Sequence, residues 1–513
     1  MQSLKEFSIY TKRVFDAKDA FALRENAIAL GIDEKVMEEN AGYAIANQLR
    51  HKYKDEDMLF VCGTGGKGAI GLSAARHMLN YANVRAAFLG DPLHIHNEST
   101  AFNYRMLSDI MDISTVGPDN VGGLEGMAKS ANIVIDAIVG VGMKGRLSGF
   151  IAAAVRAINS SRRKVIALDI PTGMNPDTGV RNMACIRADE LLALHKIKRG
   201  TASVNGIEST SVLDVGVPLS AELFTGPGDI GIATEPRLLS SNKYTHGNVL
   251  IIGGSEEYKG APILAAFAAD NAMAALRVGS GYVTVAAPKK VVDITSKMSP
   301  LIVTREISGG EAMQKDMPLI KTIKHDVAVV GPGLNRSESV MKAVGSLLGM
   351  EKAWGNIVVV DATALHALRK YLHAINDRMI LTPHEGEFEA LTGVELKGLT
   401  LERKIKKAIE FARNYPCTLV LKGNRTIITD GNVLKINRAK TPVLATMGTG
   451  DVLSGMIASY AASHKNPFES AVAAVYAHST IADMLYAEKG MHVTAQDVVE
   501  RIPQALKPFD AIA

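Results

Sequence analysis

Near the end of the chain, Gly448-Thr449-Gly450-Asp451 leads directly into Val452, Leu453, Met456 and Ile457. The apolar spacing predicts a helix that starts at the glycines. The first N–H groups of such a helix lack intrahelical partners and carry the positive end of its dipole. Together these make an anion site, most often for phosphate. A carboxylate beside bound phosphate repels it, so Asp451 is misplaced as a simple phosphate ligand. It fits better as a base that takes the proton from a hydroxyl about to meet that phosphate. The plainer reading makes Asp451 an ordinary acid in the first turn of a helix.

Other chemistry-bearing residues gather at predicted strand ends, where open parallel sheets bind ligands. In the second half these are Gly253-Gly254, Gly331-Pro332-Gly333, Asp361, Pro383-His384-Glu385-Gly386-Glu387 and Lys422-Gly423-Asn424-Arg425-Thr426. The last group offers backbone amides and charge to a nucleotide. His384 alone reads as a hydrogen-bonded loop histidine, and its weight comes from the other loops on the same edge. In the first half, Gly63, Gly65 and Gly68 match GxGxxG between an apolar run at 58–62 and a helical pattern. No Ser or Thr follows Lys67, which excludes a Walker A loop. Asp136, ahead of Gly140 and Gly142, and Asp169, ahead of Pro171-Thr172-Gly173, complete the set. Capping of local turns is the plainer role for both aspartates.

Bringing these loops to one edge requires strands separated by helices. Apolar runs at 58–62, 84–89, 133–138 and 165–170 alternate with helical patterns, as do those at 282–286, 327–330, 357–360, 378–381 and 418–421. The alternation predicts an α/β chain of two three-layer αβα domains, each around its own mostly parallel sheet, the first Rossmann-like. Residues 18–50 read as two amphipathic helices, and Gly260-Ala261 as the start of an Ala-rich helix. The Pro/Gly/Ser content between Gly226 and Lys243 predicts a connector, which divides the chain into domains 1–236 and 237–513.

A length of 513 residues suits this division, since a single domain holds about 150 residues. The balance of 57 Lys+Arg against 53 Asp+Glu leaves +4, too little to argue for nucleic acid. Cys62, Cys185 and Cys417 show no metal-ligand spacing, and a sparse odd count fits a reducing compartment. The first residues lack a signal-peptide core, and no apolar run reaches the roughly 18 residues of a membrane span. The expectation is a soluble cytoplasmic protein with no nucleic-acid or membrane partner.

Asn40-Ala41-Gly42, Gly63-x-Gly65 with Ala74-Ala75-Arg76, Asp136 to Gly142 and Asp169-Ile170-Pro171-Thr172-Gly173 resemble the epimerase domain of the NAD(P)H-hydrate repair enzymes. That family domain interconverts R and S hydrates of NADH and NADPH and uses potassium. The resemblance implies that Asp136 and Thr172 ligate potassium. It implies that Gly66, Lys67, Gly68 and the stretch Gly140, Val141, Gly142, Met143, Lys144, Gly145 and Arg146 line the dinucleotide hydrate, and that Asp169 sits at the reacting centre. One departure is plain. Where the family has Asn-Asn-Gly-Gly-Asp, this chain reads Gly66-Lys67-Gly68-Ala69-Ile70. An ammonium cannot ligate a cation, but it can stand in the cation's place with Asp136 as its counter-charge. A degenerate epimerase site is the competing expectation.

The ordered loops of the second half, from Gly253-Gly254 to Gly448-Thr449-Gly450-Asp451, look like the ribokinase-like dehydratase domain of the same family. The resemblance implies an ADP-dependent (S)-NAD(P)H-hydrate dehydratase, with ADP held by Lys422, Gly423, Asn424, Arg425, Thr426 and Gly450. Ala261, Gly333, His384 and Asp451 would contact the hydrate, and Glu387 would help position magnesium. Asp451 would be the base, and AMP and phosphate would be released. Family members often assemble, so a homo-oligomer is also among the expectations. The rival reading is a ribokinase-like small-molecule kinase whose first domain binds a dinucleotide without turnover.

Overall fold

The structure, a computed structural model, describes residues 2–143, 145–147, 149–202, 206–255, 272–308 and 310–510. Two compact units result: Lys12–Ala221, and Met1–Thr11 together with Glu222–Ala513. The first contains β1 (Val14–Phe15), β2 (Asp57–Cys62), β3 (Asn83–Leu89), β4 (Ile113–Val116), β5 (Ile133–Ala137), β6 (Lys164–Leu168), β7 (Glu190–Leu194), β8 (Ile197–Lys198) and β9 (Ser209–Leu213). Seven of these form one sheet in the order β4-β3-β2-β5-β6-β7-β9 with every pairing parallel, and β1 pairs with β8 separately.

The period of two in a strand explains the three layers. In β2, Met58, Phe60 and Cys62 enter one core with Ile45, Leu49 and Leu72, while Leu59 and Val61 enter another with Val134 and Val155. A strand apolar on both faces must be covered on both, which is the habit of parallel sheets. Helix Ala17–Ala29 starts at a capping box between Asp16 and Asp19, and helix Glu34–Lys52 is capped by Asp33. These are the two helices expected over residues 18–50.

The second unit holds β10 (Asn248–Ile252), β11 (Tyr282–Ala287), β12 (Val303–Glu306), β13 (Val327–Val330), β14 (Ile357–Val360), β15 (Met379–Leu381), β16 (Thr418–Leu421), β17 (Arg425–Thr429) and β18 (Leu434–Arg438). The order β12-β11-β10-β13-β14-β15-β16-β17-β18 is parallel as far as β16 and then antiparallel. Helices Thr449–His464 and Pro467–Lys489 bury most of their length in the same core, through Val452, Met456, Ile457, Val472 and Ile481.

Two sequence expectations meet the structure differently. The expected Ala-rich helix begins outside the described residues, as does Ala261, and only 272–278 are seen as helical. The segment read as a connector from Gly226 contains helix Pro227–Ala233. Pro227 occupies a first-turn position, where its missing N–H costs nothing, and Asp229 accepts from the Gly226 N–H at 2.7 Å and pairs with Lys435 at 2.8 Å. Proline and glycine there mark a helix start rather than a loop. The helix therefore belongs to the second unit, and the unit boundary precedes residue 236.

A buried pair in the second unit gives its stability a pH dependence. His325 Nε2 lies 3.0 Å from Glu351 Oε2, and its Nδ1 lies 2.8 Å from the Ile323 carbonyl, so both ring nitrogens serve as donors in the imidazolium. Burial pulls the His325 pKa down, but hydrogen bonding and charge from Glu351 outweigh it and leave the pKa above the ordinary histidine value. Stability from this pair is thus fully present below about pH 6.5 and is lost as pH rises through the higher folded value. Urea midpoints measured from pH 6 upward should fall more steeply for the wild-type chain than for His325→Gln. Parallel curves would remove the pair from the account.

Candidate functional site

In the first unit the chain leaves β2 toward β3 on one side and β5 on the other, and ligands bind at such a switch point. The loop after β2 turns into helix Gly66–Met78, with Gly65 as its cap. The turn is tight enough that a Cβ on Gly68 would lie 1.9 Å from the Gly63 carbonyl oxygen, so only glycine fits. Asp136 closes β5, and Asp169 and Thr172 follow β6.

Lys67 is the centre of this constellation. Its Nζ lies 2.7 Å from the Ile170 carbonyl, 3.0 Å from Asp136 Oδ2, and 3.3 Å from both the Val139 carbonyl and Thr172 Oγ1. Asp136 is saturated: Thr172 donates both its N–H (2.8 Å) and its hydroxyl (2.6 Å), and the Ile138 N–H adds a third bond. Burial outweighs the opposing charge of Asp136 and leaves the Lys67 pKa below the ordinary lysine value. The ammonium form matches its surroundings, because the four nearby groups present only acceptor oxygens and a neutral amine would have no donor for its lone pair. Lys67 Nζ stands among the oxygens expected to ligate potassium. Asp136 and Thr172 thus converge as expected, but on Lys67, and this donor set does not fit potassium while the lysine is there.

Asp169 is held differently. Its backbone is left-handed, at φ 62°, and its carboxylate accepts from the Leu194 N–H at 3.0 Å and from the Lys198 ammonium. A non-glycine residue in that region is strained, and such strain concentrates at functional sites. Asp169, Lys198, Gly66, Lys67 and Gly140–Met143 line one cavity of about 600 Å³, within the range of ligand pockets. Gly68 lies beneath the loop instead, Gly145 and Arg146 are exposed and outside the cavity lining, and Lys144 is outside the described residues. Glu38, His195 and Lys198 also line the cavity, and none was singled out as a site residue from the sequence.

In the second unit, Gly448 adopts φ 88° and caps helix Thr449–His464, which puts half-buried Asp451 in the first turn. Thr449 Oγ1 fastens the loop through the Leu444 carbonyl at 2.6 Å. Lys422, at the end of β16, reaches this helix start: a Cβ on Gly450 would lie 3.5 Å from its Nζ. Lys422 pairs with Asp361 at 3.1 Å and approaches Glu387 at 4.0 Å, while Ser454 donates to the other Asp361 oxygen at 2.6 Å. Burial raises the Asp361 pKa, yet Lys422, Ser454 and Thr382 together hold it below the usual carboxylate value. Burial lowers the Lys422 pKa, and Asp361 and Glu387 carry it above the ordinary lysine value. The result is a fixed ammonium beside a helix N-terminus and a carboxylate, a setting for phosphoryl transfer. Beneath it, burial and the charge of Lys422 push His478 down to about 4, so that imidazole is neutral.

The remaining expected residues fall into two groups. His384 is exposed and caps helix Glu385–Thr392, its Nδ1 accepting from the Glu387 N–H at 3.2 Å. Glu387 returns the bond to the His384 N–H at 2.9 Å. Lys422 Nζ lies 4.0 Å from Glu387 Oε2, and no cluster of three ligating side chains occurs among the described residues. Gly423, Asn424 and Arg425 stand exposed where β16 turns into β17, whereas Thr426 is buried and bonds the Gly423 carbonyl at 3.1 Å, bracing the turn. Gly333 is half-buried after β13.

The fold and these two sites define a two-unit α/β enzyme, one unit built for phosphoryl chemistry and the other around a ligand cavity. Two family models match: NAD(P)H-hydrate dehydratase over residues 249–504, and YjeF-related protein N-terminus over 34–200. The bifunctional NAD(P)H-hydrate repair enzyme Nnr of Pyrobaculum aerophilum is 33% identical over 96% of this chain and 97% of its own length. Its counterpart in Methanopyrus kandleri is 33% identical over 96% of each chain. The ADP/ATP-dependent NAD(P)H-hydrate dehydratase of Bacillus subtilis, solved with ATP and magnesium, is 28% identical over 55% of this chain and 96% of that one, with a TM-score of 0.46.

The chain belongs to the family of bifunctional NAD(P)H-hydrate repair enzymes. The expectation of a nicotinamide-nucleotide repair enzyme with lyase and isomerase activities stands, and the small-molecule kinase is not favoured. No described helix is long and apolar enough to cross a membrane.

Proposed function

We propose that the second unit dehydrates (S)-NAD(P)H-hydrate at the expense of ADP, and that the first unit interconverts the R and S hydrates without potassium. The dehydratase reading rests on one observation above all: Asp451 in the first turn of a glycine-capped helix, with Lys422 against the same loop. The hydrate carries a hydroxyl on the nicotinamide ring, and hydroxide is a poor leaving group near neutral pH. Asp451 takes the hydroxyl proton, and the oxygen attacks the β-phosphate of ADP, releasing AMP. Lys422 and the helix N-terminus stabilise the developing charge. The ring-nitrogen electrons then expel phosphate, and loss of the neighbouring proton gives NAD(P)H. Phosphate and AMP should form in equal amounts, and only when the hydrate is present. A stable phosphorylated product would instead favour the kinase.

For the first unit, the supporting observation is the bond set of Lys67. In place of an exchangeable ion, the chain supplies a tethered charge that ties the loop after β2 to the ends of β5 and β6. Epimerisation by the wild-type chain should then proceed equally in sodium and potassium buffers. A rate that rises with potassium in a saturable way would contradict this reading.

A further inference from the structure

Helix Glu34–Lys52 carries two adjacent glutamates with different fates. Glu39 is a structural clamp: it accepts from Ser73 at 2.7 Å, lies 2.8 Å from His77 Nε2, and pairs with Arg76. Burial raises its pKa, but these three partners bring it down to about 2. Glu38, one residue earlier, lines the cavity of the first unit and is only 7% exposed. Its Oε2 is buried with no hydrogen-bond partner among the described residues. Its Oε1 lies beside the start of helix Gly66–Met78, where a Cβ on Gly66 would approach within 3.0 Å. An orphaned buried oxygen is costly unless something in the cavity engages it, so its survival calls for a use.

We propose that Glu38 is the proton donor to the departing hydroxyl during epimerisation, paired with Asp169 as the base in the same cavity. The proposal rests on the epimerase reading of the first unit and adds a second catalytic group to it. Asp169 is ion-paired with Lys198 and accepts from the Leu194 N–H. Glu38 has no ion pair among the described residues. Burial pushes it up to about 7, the Ser99 hydroxyl and Arg24 pulling down and Glu34 and Asp33 pushing up. Two carboxyls in one site with opposite environments form an acid and base pair.

The step balances. The ring-nitrogen lone pair forms a C=N bond as the C–O bond breaks, and the leaving oxygen takes the Glu38 proton and departs as water. A water then adds to the opposite face while Asp169 takes its proton, and the nitrogen recovers its pair. Exchange with cavity water returns the proton to Glu38. Nothing is oxidised or reduced, and the only net change is the configuration of the carbon.

The test uses the full-length chain with purified (R)-NADH-hydrate, following the appearance of S by chromatography for wild type, Glu38→Gln, Glu38→Asp and Asp169→Asn. Glu38→Gln should slow epimerisation by about 10²-fold or more and erase the titration near pH 7. The melting transition of the first unit should hold, which reports intact folding, and Glu38→Asp should restore part of the rate. Glu38→Gln within about threefold of wild type, or with the titration unchanged, overturns the proposal. A collapse in Asp169→Asn alone overturns the role of Glu38 and leaves the epimerase reading standing. An inert wild-type chain overturns both.

Discussion

Replacing Asp451 by asparagine should abolish dehydration while leaving ADP binding intact. General-base removal costs about 10²–10⁴ in rate, or roughly 3–5 kcal/mol of barrier. Asparagine keeps the shape of the side chain and leaves the glycine cap and the Lys422–Asp361 pair untouched. Removing the carboxylate also removes a repulsion from the phosphate, so ADP should bind at least as tightly. Phosphate release at a fixed hydrate concentration, with ADP affinity measured by calorimetry, gives both quantities. Activity within about tenfold of wild type would take the role of base away from Asp451.

The second large effect belongs to Lys67, and it has an unusual rescue. Lys67→Ala removes one partner of a pair whose side chains are 5% and 0% exposed. Leaving a buried carboxylate uncompensated costs about 3–5 kcal/mol. The substitution also vacates a place surrounded by Asp136, Thr172 and the Val139 and Ile170 carbonyls, all oxygen donors. Potassium should therefore bind this variant, raise its melting temperature and restore epimerisation, whereas it should do neither for wild type. A ligand at about 100 times its dissociation constant returns about 2.7 kcal/mol, enough to recover most of the loss. Lys67→Met keeps the volume and loses the charge, so it should be unstable and not rescued. If potassium acts alike on all three chains, the ammonium is not standing in for the ion.

Much of the fold and part of the sites could be read in the sequence, and the boundary between the two has a physical cause. The central strands were legible because burial on both faces demands unbroken apolar runs, as in Val327–Val330 and Ile357–Val360. The edge strand Val303–Glu306 was not, since its residues are half-buried or exposed and follow no such run. Asp451 and Lys67 could be singled out because glycine loops give local context to a charge. Asp136 and Thr172 were anticipated together, but their partner depended on deciding whether a lysine ligates a cation or replaces one. Glu38 and Lys198 carried no local signal. Glu38 sits beside Glu39 in a polar helix, and only packing against helix Gly66–Met78 turns one to a clamp and the other to a cavity. Lys198 meets Asp169 across 29 residues of chain.

We propose that one chain joins a tethered-cation epimerase to an ADP-dependent dehydratase. Mixed (R,S)-NADH-hydrate, ADP and magnesium in potassium-free buffer test it together, with spontaneous epimerisation measured in a parallel sample containing the Lys67→Met chain. The wild-type chain should convert the whole mixture to NADH, faster than spontaneous epimerisation allows. A halt once the S fraction is consumed, followed by completion only when potassium is added, would contradict it.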